Sequence, residues 1–360
     1  MNKKFLAYQI KNLLPMLVGM SIVLLFVAFL SGIFSDVTVF VRTGGTEIKG
    51  SALAVIPLVI FFFVFLFSLP QRVLDYQYKR QISDTYLQIP MGRNALRIQI
   101  VLVPFVMLLI GFTLAFWAEV GIYASRVAAT KPYLSEMENT AIYSPYYLGY
   151  LYAYLHFVFA GFCLYAFVAC MSSISNSARS ASLTSGLGLT ALSLAPAAVA
   201  SFFNVGSDFY STPYMFSGVA LPIVMQNTVF QNIIASDFSG TIGSYQLPIF
   251  IISVVLAYLP GILSVFYYFF VPEKKGELAG SKSYCPWYVK VPAFLGMMML
   301  IMFTSPLFGI FRLASGPLFL VLTYFIMAVY DSSFKIDLAS GIMIGIEGLV
   351  FITGVVINRQ

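Results

Sequence analysis

The sequence predicts an all-α polytopic membrane protein with about nine (eight to nine) transmembrane helices. Three observations lead there. Of its 360 residues, 60% are hydrophobic and only 9% are charged, whereas a soluble domain carries about 25% charged residues because its surface faces water. The apolar residues form runs long enough to cross ~30 Å of hydrocarbon, which takes about 20 residues of helix. Lysine and arginine collect in alternate gaps between those runs. The same composition excludes a disordered chain, and three cysteines are too few for a disulfide-stapled scaffold. The formal charge of +6 reports topology. No basic patch interleaved with aromatics is available to hold phosphates, so nucleic acid is not an expected partner.

The runs lie at 13–34, 52–69, 98–120, 148–171, 181–203, 247–270, 291–311, 316–330 and 338–357. The first is too long for a signal-peptide core and lacks a small-residue cleavage site, so it reads as a retained span. The eighth is short and the ninth contains Glu347, which leaves the count at eight or nine. With the N-terminus cytoplasmic, the inside segments hold Lys3, Lys4, Lys11, Arg72, Lys79, Arg80, Arg93, Arg97, Arg179, Lys274, Lys275, Lys282, Lys290 and Lys335, against Arg42, Lys49, Arg126, Lys131, Arg312 and Arg359 outside. That asymmetry sets the N-terminus inside.

Between the runs, 71–97 and 271–290 read as cytoplasmic segments, and 121–147 and 204–246 as outside ones. Within the last, 216–234 is apolar enough for an interfacial or re-entrant helix. Tyr147, Tyr150 and Tyr154 share one face at the start of the fourth span. They form either an interfacial aromatic belt or a stripe lining a substrate path. Cys163 and Cys170 read as small packing residues. The single histidine, His156, rules out sites that need two imidazoles. It either bonds a neighbouring helix as a neutral ring or relays protons.

There is no G-x-x-x-x-G-K-[ST] element and no G-x-S-x-G elbow in the sequence, so neither a phosphate-binding loop nor a nucleophile elbow of those kinds is present. The serines of 172–182 read as a short cytoplasmic turn, without a base to activate them. An enzyme is therefore not expected. Two carboxylates fall in apolar runs. Glu119, at the outer end of the third span, is expected to reach interfacial water. Glu347 sits mid-run, where an unpartnered charge costs several kcal/mol. It reads as a protonated group bonded across a helix interface, as part of a substrate or proton path, or as a sign that the run does not span. Gly341 and Gly345 beside it offer a small-xxx-small face for close helix approach.

The stretch after the second run is the most informative. Leu74, Tyr78, Ile82 and Tyr86 recur at four-residue steps with charged or polar residues between them, predicting an amphipathic helix that Pro90 ends. A helix tied to spans at both ends can transmit force from a soluble partner. It can equally be an inert interfacial element.

Here the sequence resembles a family. Asp75-Tyr76, Lys79-Arg80, Asp84, Tyr86-Leu87 and Ile89-Pro90 followed by Arg93 are similar to the cytoplasmic helix of permease subunits of bacterial ABC-2-type exporters, in the Firmicutes branch related to acetoin-utilisation permeases. Ile89 stands where that pattern has leucine. The stretch Glu273-Lys274-Lys275-Gly276-Glu277-Leu278-Ala279-Gly280 resembles the family's cytoplasmic loop after its sixth span, and Ser333-Phe334-Lys335 is a weaker match.

The resemblance implies a six-helix exporter core over 1–270 with an N-terminal interfacial segment and a coupling helix at about 72–90. A cytoplasmic loop at 271–290 and additional transmembrane helices over 291–360 would follow. It implies a multi-pass subunit of the bacterial cytoplasmic membrane that contacts two ABC ATPase subunits, a second permease (the same chain or a paralogue) and the lipid bilayer. ATP and Mg would be bound by the ATPase, with no cofactor in this chain. Asp75, Lys79, Arg80 and Asp84 would contact the ATPase, with Tyr78 and Tyr86 as packing anchors. Tyr147, Tyr150, Tyr154 and Glu347 would be candidates for the substrate path, and the cargo an amphipathic peptide, antibiotic or lipid-like compound. The alternative is a sensing or scaffold subunit that keeps a permease-like fold without transporting.

Overall fold

The computed structural model describes residues 3–34, 37–42, 45–50, 55–79, 92–137, 142–143, 147–175, 177–189, 258–259, 261–268, 312–331 and 338–357. The elements are α1 (Lys3–Phe34), β1 (Val37–Arg42), β2 (Gly45–Gly50), α2 (Val55–Val73), a 3-10 turn (Asp75–Tyr78), α3 (Arg93–Met137), β3 (Ile142–Tyr143), α4 (Tyr147–Ile174), α5 (Arg312–Asp331) and α6 (Leu338–Ile357). Residues 178–189 and 261–268 are also helical. Among the described residues, three stretches are long and apolar enough to cross a membrane: Phe5–Phe34, Asn94–Thr130 and Ala153–Ile174. Pro57–Val73, Gly316–Ala328 and Ser340–Thr353 are shorter apolar helices. The chain is thus a predominantly helical protein of membrane-spanning character. The seventh run, at 291–311, and most of the fifth and sixth lie outside the described residues.

Two compact units divide the chain. One comprises Met1–Leu69, Met91–Tyr165 and Pro222–Ile252; the other comprises Pro70–Pro90, Ala166–Leu221 and Ser253–Gln360. Each draws on several stretches of the sequence.

In the first unit, α1 buries Leu17, Leu24 and Ala28 while Ile22, Phe26 and Phe29 stay exposed, a one-sided pattern suited to a helix with lipid on its other face. The buried side meets α3. Gln9 Nε2 donates to the Ile100 carbonyl, Gly111 abuts Ser21, and Gly32 abuts Ile122. Because partner numbers rise together along both helices, the two run parallel. Along α3 and α4 the partners run in opposite senses: Tyr165 donates to the Val101 carbonyl, Phe105 meets Phe162 edge-on, and Thr113 and Tyr154 share a hydrogen bond. These helices are antiparallel. Phe62 of α2 stacks on Phe112 at 3.9 Å. Gly161 of α4 leaves the room that Phe62 and Leu66 occupy, since a Cβ there would lie 2.8 Å from both side chains.

Two features depart from expectation. α3 does not stop near 120; it runs on to Met137, 45 residues in all from Arg93, ~68 Å at 1.5 Å per residue. Its buried stripe runs on through Val120, Tyr123 and Val127, so helical packing extends into what reads as an outside loop. The segment between α1 and α2 forms an antiparallel hairpin, with Val37 opposite Gly50 and Arg42 opposite Gly45. β3 joins it in parallel, with Thr46 opposite Ile142. A three-stranded sheet therefore accompanies the helices, where the sequence reading had helices alone.

In the second unit, α5 and α6 form an antiparallel hairpin. Gly316 near the start of α5 sits against the Phe351 ring near the end of α6, and Phe319, Thr323, Met327, Ser340, Met343 and Glu347 are buried. Each helix is 20 residues long, about 30 Å of helix, so the eighth and ninth runs are both continuous helices.

Candidate functional site

The site to which the resemblance points begins where α2 ends. Leu74 N–H donates to the Pro70 carbonyl and closes the last α-helical turn; Gln77 N–H then donates to the Leu74 carbonyl, three residues back. The chain tightens into a 3-10 turn, a common way for an α-helix to finish. Lys79 leaves it in extended backbone, φ −118° and ψ 110°. The amphipathic α-helix expected from Leu74 onward is therefore a single tight turn as far as the described residues go. Arg80, Asp84 and Tyr86 lie outside them.

The expected division into an apolar and a charged face is present in that turn. Leu74 and Tyr78 are buried. Tyr78 Oη donates to the Ser172 carbonyl near the end of α4, at 2.8 Å. Burial holds the Tyr78 phenol above the usual tyrosine range, so the group stays a neutral donor. Asp75 and Lys79 point outward and pair with each other, their side chains 38% and 57% exposed. An exposed pair of this kind contributes at most about 1 kcal/mol. Its charges remain accessible to a partner.

Three serines of the stretch that reads as a short turn anchor this junction, two of them, Ser172 and Ser182, from within helices. Ser172 supplies the carbonyl that Tyr78 reaches. Ser182 donates to Gln71 Oε1 at 2.6 Å, tying the end of α2 to the helical segment 178–189. Ser177 caps that segment, its Oγ accepting from the Ser180 N–H. The serine cluster thus serves as cap and latch. Tyr78 and Ser172 are 94 residues apart, and no local spacing announces such a contact.

The tyrosines proposed for a substrate path are placed as follows. Tyr147 opens α4. Tyr150 is buried with its ring 5.8 Å from that of Tyr123. Tyr154 shares a 2.7 Å hydrogen bond with Thr113 and packs against Phe116 and Trp117. Tyr150 and Tyr154 are thus committed to the α3–α4 interface. Cys163 and Cys170 are free and buried in α4, as packing residues would be.

The two carboxylates in apolar helices are both buried. Glu119, expected to reach interfacial water, is 2% exposed and meets the Ser31 hydroxyl at 3.0 Å. Seven residues on, Arg126 Nη1 donates to the Gly32 and Ile33 carbonyls at 3.1 and 2.8 Å, capping the end of α1. Glu119 is held inside because α1 and α3 continue side by side past it. Glu347 is fully buried, and neither oxygen has a hydrogen-bond partner among the described residues. In its hairpin Gly316 admits close helix approach, with Phe351 against it. At Gly345 a Cβ would meet nothing within 4 Å.

Among the described residues there is no group of three or more histidine, cysteine, aspartate or glutamate side chains that could hold a metal. No protein-family model, curated protein or solved structure matches this chain.

Proposed function

We propose that the chain is the transmembrane permease subunit of an ATP-driven exporter of the ABC-2 type, moving an amphipathic peptide, antibiotic or lipid-like compound. ATP hydrolysis belongs to separate ATPase subunits that bind ATP and Mg, and a second permease completes the pathway. The reading rests on the motif resemblance of 75–93. The observation that carries it furthest is the turn at Asp75–Tyr78, which is anchored inward through Tyr78 to Ser172 while presenting Asp75 and Lys79 outward. A partner that pushes on this turn moves α2 directly, through the chain. It moves the end of α4 through the Tyr78 hydrogen bond.

In this reading, closure of two ATPase subunits around ATP displaces the turn, and the spans answer by exchanging inward-open for outward-open packing. The chain supplies no chemistry of its own. The test is affinity purification from the native membrane followed by mass spectrometry. An ABC ATPase is expected to copurify, and joint replacement of Asp75, Lys79, Arg80 and Asp84 is expected to release it while the spans stay folded. Unchanged retention of the ATPase would remove the coupling role. ATPase activity in the complex that ignores every amphipathic cargo supplied would favour a scaffold or sensor.

A further inference from the structure

Glu119 and Ser31 present a proton-counting problem. A serine hydroxyl has one proton to donate. Ser31 Oγ lies 3.0 Å from Glu119 Oε1 and 3.2 Å from the Ala28 carbonyl. If Glu119 is ionised, two acceptors compete for that single proton. If it is a carboxylic acid, the chain closes: Glu119 O–H donates to Ser31 Oγ, and the Ser31 proton goes on to the Ala28 carbonyl. Glu119 Oε2 adds a second reason, since it is buried without a hydrogen-bond partner. A full charge on that oxygen would be buried without a hydrogen bond to compensate it.

Among the described residues, Ser31 is the side chain that hydrogen-bonds Glu119, and no ion pair to it is found. In α1 the titratable residues are Lys3, Lys4, Tyr8 and Lys11, at the other end of the helix. On α3, Tyr123 follows one turn on, and Arg126 places Nη1 on the α1 carbonyls. On α4, Tyr150 packs on Tyr123 and Tyr154 bonds Thr113, with His156 beyond them against Phe157. On α2 the nearest cation in sequence is Arg72, in the last turn.

We infer that Glu119 and Ser31 form an intramembrane proton-binding site that clamps α1 to α3. Its ligand is the proton itself. Binding makes the acid that donates to Ser31. Release returns one proton to the medium and leaves one negative charge between two helices that touch at Gly32 and Ile122. That charge must draw water in or part the helices. The site is independent of the exporter reading and would stand if that reading fell.

The test is infrared difference spectroscopy on the full-length protein in lipid, with Glu119→Gln, Ser31→Ala and, as a control for the other buried carboxyl, Glu347→Gln. The wild type minus Glu119→Gln difference is expected to contain one protonated-carboxyl band at neutral pH, which shifts on deuteration. Alkali should exchange that band for carboxylate bands. Ser31→Ala should move the band to the frequency of a less strongly hydrogen-bonded acid. Carboxylate bands for Glu119 at neutral pH, or a band indifferent to Ser31→Ala, would overturn the proposal. Should Glu119→Gln fail to fold, the wild type and Ser31→Ala spectra decide alone. Thermal stability should decline with rising pH in the wild type and decline less steeply in Glu119→Gln, whose amide keeps the donor but cannot titrate; an unchanged slope would count against the site.

Discussion

Two helix pairs solve the same problem differently. The parallel α1–α3 pair buries Glu119 and gives it Ser31 as a partner across the interface, with Arg126 closing the end of α1 just beyond. The antiparallel α5–α6 hairpin buries Glu347 and gives neither oxygen a hydrogen bond, although Thr323 is buried on the facing helix. Close approach is likewise set at different points. α1 and α3 touch at Gly111 and Gly32, whereas α5 and α6 touch at Gly316 near one end, with open space at Gly345 and Gly348. The first pair is tightly specified along its length. The second sets its carboxylate against the Thr323 hydroxyl of the facing helix without the close geometry that Ser31 gives Glu119.

That contrast can be broken by charge. Glu119→Lys puts an ammonium into the α1–α3 interface with no anion to meet it and should cost about 3 kcal/mol, seen as loss of folded yield in membranes. Overpacking comes next. Gly111→Leu drives a side chain into the Ser21 backbone and should cost about 1–3 kcal/mol in thermal midpoint. Gly345→Ala, with nothing in reach of its Cβ, should be neutral or stabilise by up to about 1 kcal/mol through helix propensity. Equal penalties at the two glycines would erase the contrast. The smallest effect belongs to the junction at Asp75–Tyr78. Tyr78→Phe keeps the buried ring and removes the donor to Ser172, at about 1 kcal/mol. On the proposed exporter reading it should weaken ATPase-dependent transport more than it weakens folding.

A disulfide sharpens the geometry. A Cβ at position 32 would lie 3.2 Å from the Ile122 Cβ, close to the separation a disulfide spans. The double variant Gly32→Cys, Ile122→Cys should therefore cross-link under mild oxidation. Gly32→Cys paired with a cysteine at Leu102, at the other end of α3, should not.

Much of the helical scaffold was legible because apolar runs report burial in lipid directly. Runs one to four, eight and nine all correspond to described helices. Leu74 and Tyr78 were legible for the same reason, as apolar residues one turn apart. What escaped depends on distant partners. Ser31 and Glu119 are 88 residues apart, and only the parallel packing of α1 on α3 turns an apparently water-seeking carboxylate inward. The hairpin of Val37–Arg42 and Gly45–Gly50 did carry a local signal, with alternating β-branched residues, a two-residue Thr43-Gly44 connection and a glycine at the next position. Against spans of about 20 apolar residues, two six-residue strands are easily read as loop. The extension of α3 to Met137 was hidden by Arg126 and Lys131, polar residues that a helix carries without cost once it emerges from lipid.

The coupling account depends most directly on which side of the membrane the Asp75–Tyr78 turn faces. Lys79, 57% exposed beside the turn, can be replaced by cysteine in a chain whose three native cysteines are changed to serine or alanine. An impermeant maleimide applied to right-side-out vesicles should leave it unmodified and label it only after the membrane is permeabilised. Labelling from outside in sealed vesicles would contradict the account.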